Sequence, residues 1–586
     1  MNPTYILAID QGTTSSRAII YNSTLKVIAS ASEEVAVSCP QSGWVEQDPQ
    51  ALWQSVVNCI RQVLKNAQLS AEDIAGIGIT NQRETTVLWH KATAEALYPA
   101  IVWQDRRGAE YCQRIINSGQ DSLLSEKTGL LADPYFSATK LQWLLDEIPD
   151  ARRQAEQGEL CFGTIDCYLL WRLTGGAVHA TDASNASRTL LFNIHEQRWD
   201  PELLTLFNIP PAVLPMVMDT AAPFGYTDKA LFGKALPVLA MIGDQQAALL
   251  GQACTKPGMG KFTYGTGCFA VVNTGTTPPK SQHKLLSTVA WRLSGRSCYA
   301  LEGSIFMAGA TIQWLRDKLK IIDTAAQSET LAKNISYQQT EVLVPAFTGL
   351  GAPYWQPDVK AALFGLNRDS GAEHIAAAAL RSVAFQSRDL LNAMQQDGIV
   401  LSGLRVDGGM TANLWFLQAL ADITQQPVQR SAIADATAFG AAFLVAMQLG
   451  IYASPDEIAA LNQYDRQLTP QLDEESATGL YQRWQRVVQA LQQLVDAQQL
   501  AFNHAAVGRR MAVLFDRPGR RAGQLLGRSP WMQAVHAELP AERLGQIVEV
   551  EVIAAKGNSL AAVPLAPAAS SSDHEALVLA QQRLHA

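Results

Sequence analysis

The first chemically suggestive stretch of the chain lies close to its start. The apolar run YILAID ends in the carboxylate of Asp10 and continues at once into a turn of glycine, hydroxyl residues and arginine, QGTTSSR. Such a turn presents consecutive backbone N–H groups and hydroxyls to an anion, and a carboxylate at its mouth can bind a hydrated metal ion. A plain hairpin turn explains the same residues equally well, so both interpretations stay open at this point.

Two further glycine-rich turns shift this balance towards phosphate binding. Residues 259–275, MGKFTYGTGCFAVVNTG, repeat the pattern of strand, Gly/Thr turn and strand, and VDGGMTAN at 406–413 follows another predicted strand. The Walker loop G-x-x-x-x-G-K-[ST] and the Rossmann pattern G-x-G-x-x-G opening a helix are both absent. Two Gly/Thr hairpins on opposite walls of a cleft would instead grip a triphosphate from both sides.

Charged residues at two predicted strand ends suit a polyol and a proton transfer. Asp244 follows the apolar strand of VLAMIGD. It is interpreted as the N-cap of the next helix and as a carboxylate at the cleft floor that takes a proton from an attacking hydroxyl, two roles that do not exclude each other. Arg83 and Glu84 follow the strand of ITNQRE. Adjacent residues of opposite charge are usually an ion pair on the surface. At the end of a strand, however, they also offer a polyol one hydrogen-bond donor and one acceptor. Trp103, in VWQDRR, would add an aromatic wall.

The elements that must position these residues alternate between strands and helices. Apolar periodicity predicts a strand–turn–strand over 5–22, a helix over 48–67 and a buried strand over 74–80. Residues 374–394 and 478–502 are typical of helices. This alternation indicates an α/β fold, and one Gly/Thr hairpin in each half predicts two related domains that face one another across a cleft.

Composition excludes several classes of protein. The 586 residues are too many for one core, and a net charge of −8 disfavours nucleic-acid binding by the chain as a whole. Eight cysteines without zinc-binding spacing are expected to be reduced, buried thiols. Because there is no leader pattern and no apolar run of roughly 18 residues, we expect a cytoplasmic protein with no membrane contact.

Many stretches of the chain together resemble the glycerol kinases of the FGGY carbohydrate kinase family. They are AIDQGTTSSRAI, SGWVEQDP, ITNQRETTVLW, VWQDRR, GTIDCYLLWRLTGG, TDASNASRTLLFN, GDQQAALLGQ, KFTYGTGCF, GLNRDSGAEHIAAAALRSVAFQ and LRVDGGMTAN. The resemblance runs from about residue 4 to about residue 495, and NQRETT with GDQQAALLGQ and YGTGCF is specific to the glycerol kinase branch.

This resemblance implies both a fold and a reaction. The fold is a pair of actin-like (ribonuclease H-like) domains, residues 1–248 and 249–497, that flank a catalytic cleft and close around ATP and a polyol. The reaction transfers the γ-phosphoryl group of ATP, with Mg²⁺, to a terminal hydroxyl of glycerol and yields sn-glycerol 3-phosphate. Members commonly form homodimers or homotetramers, so we expect one of these states. Residues 232–244 lack the Gly-Gly-Thr-Arg-type loop that binds fructose 1,6-bisphosphate in many bacterial members.

The same resemblance implies roles for individual residues. Asp244 matches the catalytic base, and Asp10 with Asp244 matches the metal site. Polyol ligands and walls are implied at Arg83, Glu84, Trp103, Tyr135, Asp244, Gln245 and Phe269. Phosphate and nucleotide contacts are implied at Thr13, Thr14, Ser15, Arg17, Thr266, Gly309, Gln313, Gly409 and Asn413.

The C-terminal segment resembles a different module. GRSPWMQAVHAE, GQIVEVEV and NSLAA are similar to the TRAM domain of tRNA methylthiotransferases, which implies a small all-β, OB-like barrel over 503–563, followed by a tail at 564–586 that we expect to be disordered. The cluster motif C-x-x-x-C-x-x-C is absent, which excludes methylthiolation. Residue types suited to RNA phosphates and base stacking occur at Arg510, Arg520, Arg521, Arg528 and Trp531.

The hypothesis that these observations favour is an ATP-dependent glycerol kinase with an appended TRAM-like domain. One alternative is a related FGGY kinase that acts on another polyol or a ketose. Another is an RNA-binding fusion whose kinase half serves as a scaffold. For the tail, tRNA contact and a merely solvated basic surface both remain open.

Overall fold

The computed structural model describes residues 4–356, 359–462, 464–519, 521, 523–557 and 559–565. The chain divides into two compact units, residues 1–357 with 363–481, and residues 358–362 with 482–586. Among the described residues, no helix combines the length and the apolar character needed to cross a membrane. The eight cysteines are free, and only Cys39 is exposed.

The first sheet of the larger unit is built around the predicted N-terminal hairpin. Its strands β1 to β3 run antiparallel, and β1 pairs in parallel with β4. The strands are β1 (Tyr5–Gln11), β2 (Ser15–Asn22), β3 (Val27–Glu34), β4 (Ile74–Asn81), β5 (Ala221–Tyr226) and β6 (Pro237–Gly243). Their order across the sheet is β5-β6-β4-β1-β2-β3.

The second sheet repeats this plan around the second Gly/Thr hairpin. Strands β7 and β8 form that hairpin, and β7 pairs in parallel with β11. The strands are β7 (Gly260–Tyr264), β8 (Cys268–Gly275), β9 (Leu286–Leu293), β10 (Arg296–Ile305), β11 (Leu404–Asp407), β12 (Val428–Ser431) and β13 (Tyr464–Leu468). Their order is β9-β10-β8-β7-β11-β12-β13. In both sheets the hairpin has antiparallel pairing on one side and, on the other, two parallel strands followed by an antiparallel edge strand. This confirms the expected pair of related α/β domains.

Helices cover and connect the two sheets. They are α1 (Pro49–Ala67), α2 (Ala109–Asn117), α3 (Asp121–Thr128), α4 (Ser137–Glu147), α5 (Ala151–Glu156), α6 (Ile165–Leu173), α7 (Ala183–Ala186), α8 (Pro201–Leu206), α9 (Lys229–Phe232), α10 (Asp244–Gly251), α11 (Gly309–Asp317), α12 (Gln327–Ala332), α13 (Ala372–Gln396), α14 (Leu414–Thr424), α15 (Ala436–Gln448) and α16 (Glu474–His504). Short strands lie at Glu46–Gln47, Val87–His90, Ala100–Ile101, Leu160–Gly163, Ala180–Asp182, Phe192–Asn193, Arg198–Trp199, Met216–Met218, Val342–Val344 and Ala362–Phe364.

Helices α10 and α15 cross at a contact that only glycine permits. A Cβ atom on Gly251 would lie 1.9 Å from the carbonyl oxygen of Ala436, and one on Gly440 would lie 2.1 Å from that of Ala247. These pairs join the end of α10 to the start of α15, so the two helices run antiparallel. Helix α15 also packs on β1 and β4 of the first sheet, which ties the second half of the chain to the first.

The smaller unit contains a closed five-stranded barrel. Its strands are β14 (Arg510–Pro518), β15 (Gln524–Arg528), β16 (Ala534–Glu538), β17 (Gln546–Lys556) and β18 (Ser559–Pro564). Strands β17 and β18 run antiparallel, and the chain turns between them at Gly557, which has a φ of 38°. Apolar side chains such as Val513, Phe515 and Val550 fill the barrel. The expected TRAM-like barrel is confirmed; the tail expected to be disordered lies outside the described residues from 566 onwards.

Candidate active site

Four buried charged side chains form the centre of the site. Arg83 and Glu84 follow β4, Arg188 follows α7, and Glu302 lies in β10 of the second sheet. Arg83 binds Glu302 through two hydrogen bonds, of 2.7 and 3.0 Å, and Arg188 donates to Glu84 at 2.6 Å and to Glu302 at 3.1 Å. We call these residues the four-charge cluster. Arg83 and Glu84 retain only 3% and 1% exposure, so their interpretation as a surface pair is wrong.

The electrostatics of the four-charge cluster favour the ionised form of Glu302. Burial by itself would raise the pKa of Glu302, but the charges of Arg188 and Arg83 outweigh burial and lower this pKa to about 2. Burial raises the pKa of Glu84 above its usual value, although Arg83 and Arg188 oppose that shift. The cluster is balanced, with two guanidinium groups against two carboxylates.

Asp244 lies beside this cluster and stays partly open to solvent. Its Oδ1 atom is 3.4 Å from Nε of Arg83, and 29% of its side chain is exposed. It is the first residue of α10, and Gly243 occupies the N-cap position, so the N-cap interpretation of Asp244 is wrong by one residue. A carboxylate that is flanked by a buried guanidinium and is still accessible can accept a hydrogen bond from a small hydroxylated ligand.

Gln245 is held by a lysine of the second hairpin. Lys261 lies in β7 and is fully buried. Its Nζ atom donates to Oε1 of Gln245 and, at 2.9 Å, to the hydroxyl of Thr263. Burial lowers the pKa of Lys261, while the carboxylates of Asp407 and Asp244 oppose that shift.

Three aromatic side chains predicted as polyol ligands or walls come together. The ring of Trp103 lies 5.6 Å from that of Tyr135 and 6.4 Å from that of Phe269, between centroids. Nε1 of Trp103 donates to the hydroxyl of Thr13 at 2.9 Å, and the Tyr135 hydroxyl is 3.5 Å from Nη2 of Arg83. The aromatic wall therefore touches both the first hairpin and the four-charge cluster.

The first hairpin carries its hydroxyl residues on a tight turn. The N–H of Gly12 donates to the carbonyl of Ser15 at 2.9 Å, and Thr14 is exposed at the tip between them. Arg17, whose side chain is 44% exposed, pairs with Asp435, the N-cap of α15. The predicted phosphate ligand Arg17 thus already has a carboxylate partner from the second half of the chain.

The second hairpin packs against the start of helix α11. The carbonyl of Thr266 accepts hydrogen bonds of 3.0 Å from the N–H groups of Ala308 and Ala310, and the N–H of Gly309 donates to Gly265 at 2.9 Å. A Cβ atom on Gly309 would lie 2.5 Å from that Gly265 oxygen, so a larger residue would push the helix away. Gln313 follows one turn later with an exposed side chain.

The third glycine-rich element adjoins the second hairpin. Gly408 has a φ of 91°, and a Cβ atom there would lie 2.5 Å from the carbonyl oxygen of Tyr264. Gly409 begins a single 3₁₀ turn, and Asn413 caps α14 by accepting a 2.8 Å hydrogen bond from the N–H of Phe416. Asn413 therefore has a structural role, whatever it contributes to a nucleotide.

The carboxylates near the first hairpin fit a magnesium ion. Burial and the negative charges of Asp435 and Asp244 raise the pKa of Asp10 well above its usual value. Crowded carboxylates of this kind are relieved by a hard cation, and Mg²⁺ usually takes one or two protein carboxylates while keeping waters and substrate phosphates. In the part of the chain that the structure describes, no group of three or more His, Cys, Asp or Glu side chains could hold a metal by itself.

Several residues that shape the site were not predicted from the sequence as functional. They are Arg188, Lys261, Glu302 and Asp435. A signal was available for two of them, because Lys261 in GKFTY and Glu302 in YALEGSI are charges inside strands that otherwise read as apolar. A charge in a buried strand must be paired, which makes it a candidate for a polar site.

The fold and the site define a carbohydrate kinase of the FGGY type. Family models match the chain at residues 5–251 for the N-terminal domain of the FGGY family of carbohydrate kinases and at 260–449 for its C-terminal domain. A third model, the TRAM domain, matches residues 505–565. The chain therefore belongs to the FGGY family of carbohydrate kinases and carries a TRAM domain at its C-terminal end.

Within this family the chain is similar to glycerol kinases. Glycerol kinase 1 of Pseudomonas aeruginosa is 54% identical over 484 residues, which cover 83% of this chain and 98% of that protein. The crystal structure of Plasmodium falciparum glycerol kinase with ADP matches with a TM-score of 0.80 at 32% identity, over 83% of this chain and 98% of that one. Xylulose kinase from Rhodospirillum rubrum, at 24% identity and a TM-score of 0.75 over 84% of this chain and 99% of that one, shares the fold.

Proposed function

We propose that this chain phosphorylates glycerol with ATP and releases sn-glycerol 3-phosphate and ADP. The observation that carries the proposal is the four-charge cluster, which lies against Asp244 and the aromatic wall. The similarity to glycerol kinases of Pseudomonas aeruginosa and Plasmodium falciparum supports the choice of polyol.

The site residues would divide the recognition of glycerol between polar and apolar contacts. Arg83, Gln245 and Tyr135 supply hydrogen-bond donors, and Glu84 and Asp244 supply acceptors. Trp103 and Phe269 supply apolar surface for the carbon backbone. A small triol needs both kinds of contact, since each hydroxyl both donates and accepts.

In the proposed reaction Asp244 orients a terminal hydroxyl of glycerol and accepts its proton. The hydroxyl oxygen forms a bond to the γ-phosphorus while the bond from that phosphorus to the bridging oxygen breaks, and ADP leaves with the electron pair. Thr13, Thr14, Ser15 and Arg17 on one side and Thr266 on the other would position the phosphates. Mg²⁺, when bound, neutralises phosphate charge, and Asp10 with Asp244 would hold it.

The nucleotide would lie against the second domain. Gly309 donates to Gly265 of the second hairpin, and Gly408, which precedes Gly409, lies against Tyr264 of the same hairpin. These contacts support a nucleotide role, next to Thr266, for the elements that carry Gly309, Gln313, Gly409 and Asn413. Closure of the two actin-like domains would exclude water, which otherwise competes with glycerol for the phosphoryl group.

A coupled ADP assay with the full-length protein tests this function. We expect glycerol to have the highest kcat/KM in a panel with erythritol, xylulose and gluconate; a higher value for one of the others would support another FGGY kinase activity. Asp244→Asn should abolish turnover and leave ATP binding nearly intact. Asp150→Asn, an exposed aspartate paired with Arg153, is the matched control. Near-normal turnover of the Asp244→Asn variant would exclude Asp244 as the base.

A second candidate function, contact with tRNA, is favoured by the TRAM match and by the exposed side chains of the barrel. Arg521 and Trp531 are exposed, whereas Arg510 pairs with Glu551 at 3.2 Å and Arg528 donates to the carbonyl of Met532 at 3.2 Å. Arg520 lies outside the described residues. Filter binding of tRNA should show a steep salt dependence that the double variant Arg521→Ala/Trp531→Ala weakens. Binding that this variant leaves unchanged would argue against the barrel as the contact surface.

A further inference from the structure

Lys261 is a buried cation that the proposed reaction does not use as a ligand. It is 0% exposed and is placed by β7, the first strand of the second hairpin. Its ammonium group reaches out of that strand to the side chain of Gln245, the residue that follows the proposed base. A buried lysine is costly unless its donors are used, so its partners indicate what it is for.

The chemistry of this contact decides which way the Gln245 amide faces. An ammonium group donates hydrogen bonds and accepts none, and Nζ of Lys261 donates to Oε1 of Gln245 and to the hydroxyl of Thr263. The carbonyl oxygen of the amide must therefore face Lys261, because a rotated amide would place two donors against a donor. The NH₂ group, at the other corner of the planar amide, is then directed away from Lys261.

We infer that Lys261 is a positioning residue that fixes the Gln245 amide so that it meets a substrate hydroxyl as a donor only. This inference rests on the proposed function, in which Gln245 is a glycerol ligand. Asp244 accepts and Gln245 donates at neighbouring positions, so adjacent hydroxyls of the polyol meet complementary partners. Without Lys261 the amide can rotate, and about half of its orientations would offer glycerol the wrong group.

A second role for Lys261 needs to be distinguished from this one. Its charge also acts on the partly exposed carboxylates of Asp407 and Asp244, and the alternative role is to neutralise these two groups. That role would act on folding stability and would not depend on the side chain at position 245. The positioning role requires Gln245, so the two roles differ in whether the effects of substitutions at 261 and 245 are coupled.

A double-mutant cycle in the full-length protein tests the inference. We expect Lys261→Met to lower kcat/KM for glycerol about threefold to tenfold, the value of one hydrogen bond, with KM for ATP unchanged within about twofold. Lys261→Met should have no further effect on glycerol kinetics in the Gln245→Ala background. The matched control is Lys127→Met, which replaces a lysine of α3 that pairs with Asp200. The glycerol kinetics of this variant should equal those of the wild type. An equal loss with and without Gln245, or no loss at all, would overturn the inference.

Gln245→Glu provides a test that does not depend on the folding of Lys261→Met. The new carboxylate keeps an acceptor for Lys261 and replaces the donor group with another acceptor. We therefore expect a Tm at or above that of the wild type together with a raised KM for glycerol. A wild-type KM in this variant would overturn the inference. Absence of glycerol phosphorylation in the wild type would instead refute the proposed function, so the two failures are distinguishable.

Discussion

The four-charge cluster makes a strong prediction about Glu302, a residue that the sequence did not mark as functional. The substitution Glu302→Gln preserves the shape of the side chain and removes its charge. In the wild type, the Glu302 carboxylate accepts three hydrogen bonds from Arg83 and Arg188, of 2.7, 3.0 and 3.1 Å. In the variant, Glu84 would be the only carboxylate of the cluster left to pair with these two arginines.

Two independent arguments give the size of the effect. Breaking a buried ion pair by removing one partner costs about 3–5 kcal/mol. The pKa of Glu302 falls from its usual 4.5 to about 2 in the folded protein, which corresponds to roughly 3 kcal/mol of stabilisation of the charged form. For a cooperative unit of about 480 residues, this free energy lowers Tm by roughly 3–5 °C.

The assay is thermal unfolding together with glycerol kinetics. We expect Glu302→Gln to lower Tm by that amount and to lower kcat/KM for glycerol about tenfold or more, because Arg83 loses the partner that orients it. Glu196→Gln is the control, since Glu196 and Arg198 form a pair with half of each side chain exposed and such pairs contribute less than about 1 kcal/mol. A Tm and a kcat/KM that equal those of the control would refute the reasoning.

The pH dependence of this effect has a definite sign. Because the folded pKa of Glu302, about 2, lies below its usual 4.5, the stabilisation is present in full above about pH 4.5. It is lost progressively as the pH falls through the folded pKa. The difference in Tm between the wild type and Glu302→Gln should therefore shrink from pH 5 towards pH 3. A difference that is constant over this range would contradict the assignment of a depressed pKa.

The remaining predictions concern packing, the aromatic wall and the tail. Gly251→Ala should lower Tm by several degrees, because its Cβ would lie 1.9 Å from a backbone oxygen. The control is Gly479→Ala in α16, whose Cβ would meet nothing within 4 Å and which should stabilise the fold by up to about 1 kcal/mol. Equal Tm changes in the two variants would contradict the close helix crossing. Trp103→Phe keeps an aromatic ring beside Tyr135 and Phe269 but loses the hydrogen bond to Thr13. The value of kcat/KM for glycerol should therefore fall about fivefold, and an unchanged value would show that this bond does not position the hairpin. Truncation after residue 500 should leave glycerol-dependent turnover unchanged, and loss of turnover would show that the tail is integral to the kinase. Light scattering should find a homodimer or homotetramer, and a monomer would contradict that expectation.

Secondary structure could be predicted from the sequence where it depends on residues that are close together in the chain. The hairpins at 5–22 and 259–275, helix α1 and strand β4 follow from apolar periodicity and turn chemistry within a few residues of one another. Errors were also local and small. The N-cap interpretation of Asp244 is wrong by one residue, because Gly243 occupies that position.

The sequence alone determined the family, the two glycine-rich hairpins, the proposed base Asp244 and the TRAM-like barrel. Only the tertiary structure decided that Arg83 and Glu84 are buried, because their partners Arg188 and Glu302 lie more than 100 residues away, Glu302 in the other sheet. The same holds for Lys261 and Gln245, whose side chains meet although one lies in a strand and the other in a helix 16 residues earlier. The partners of a buried charge are the side chains that surround it in three dimensions, and these come from separate parts of the chain. A pattern within a short stretch of sequence therefore cannot identify them.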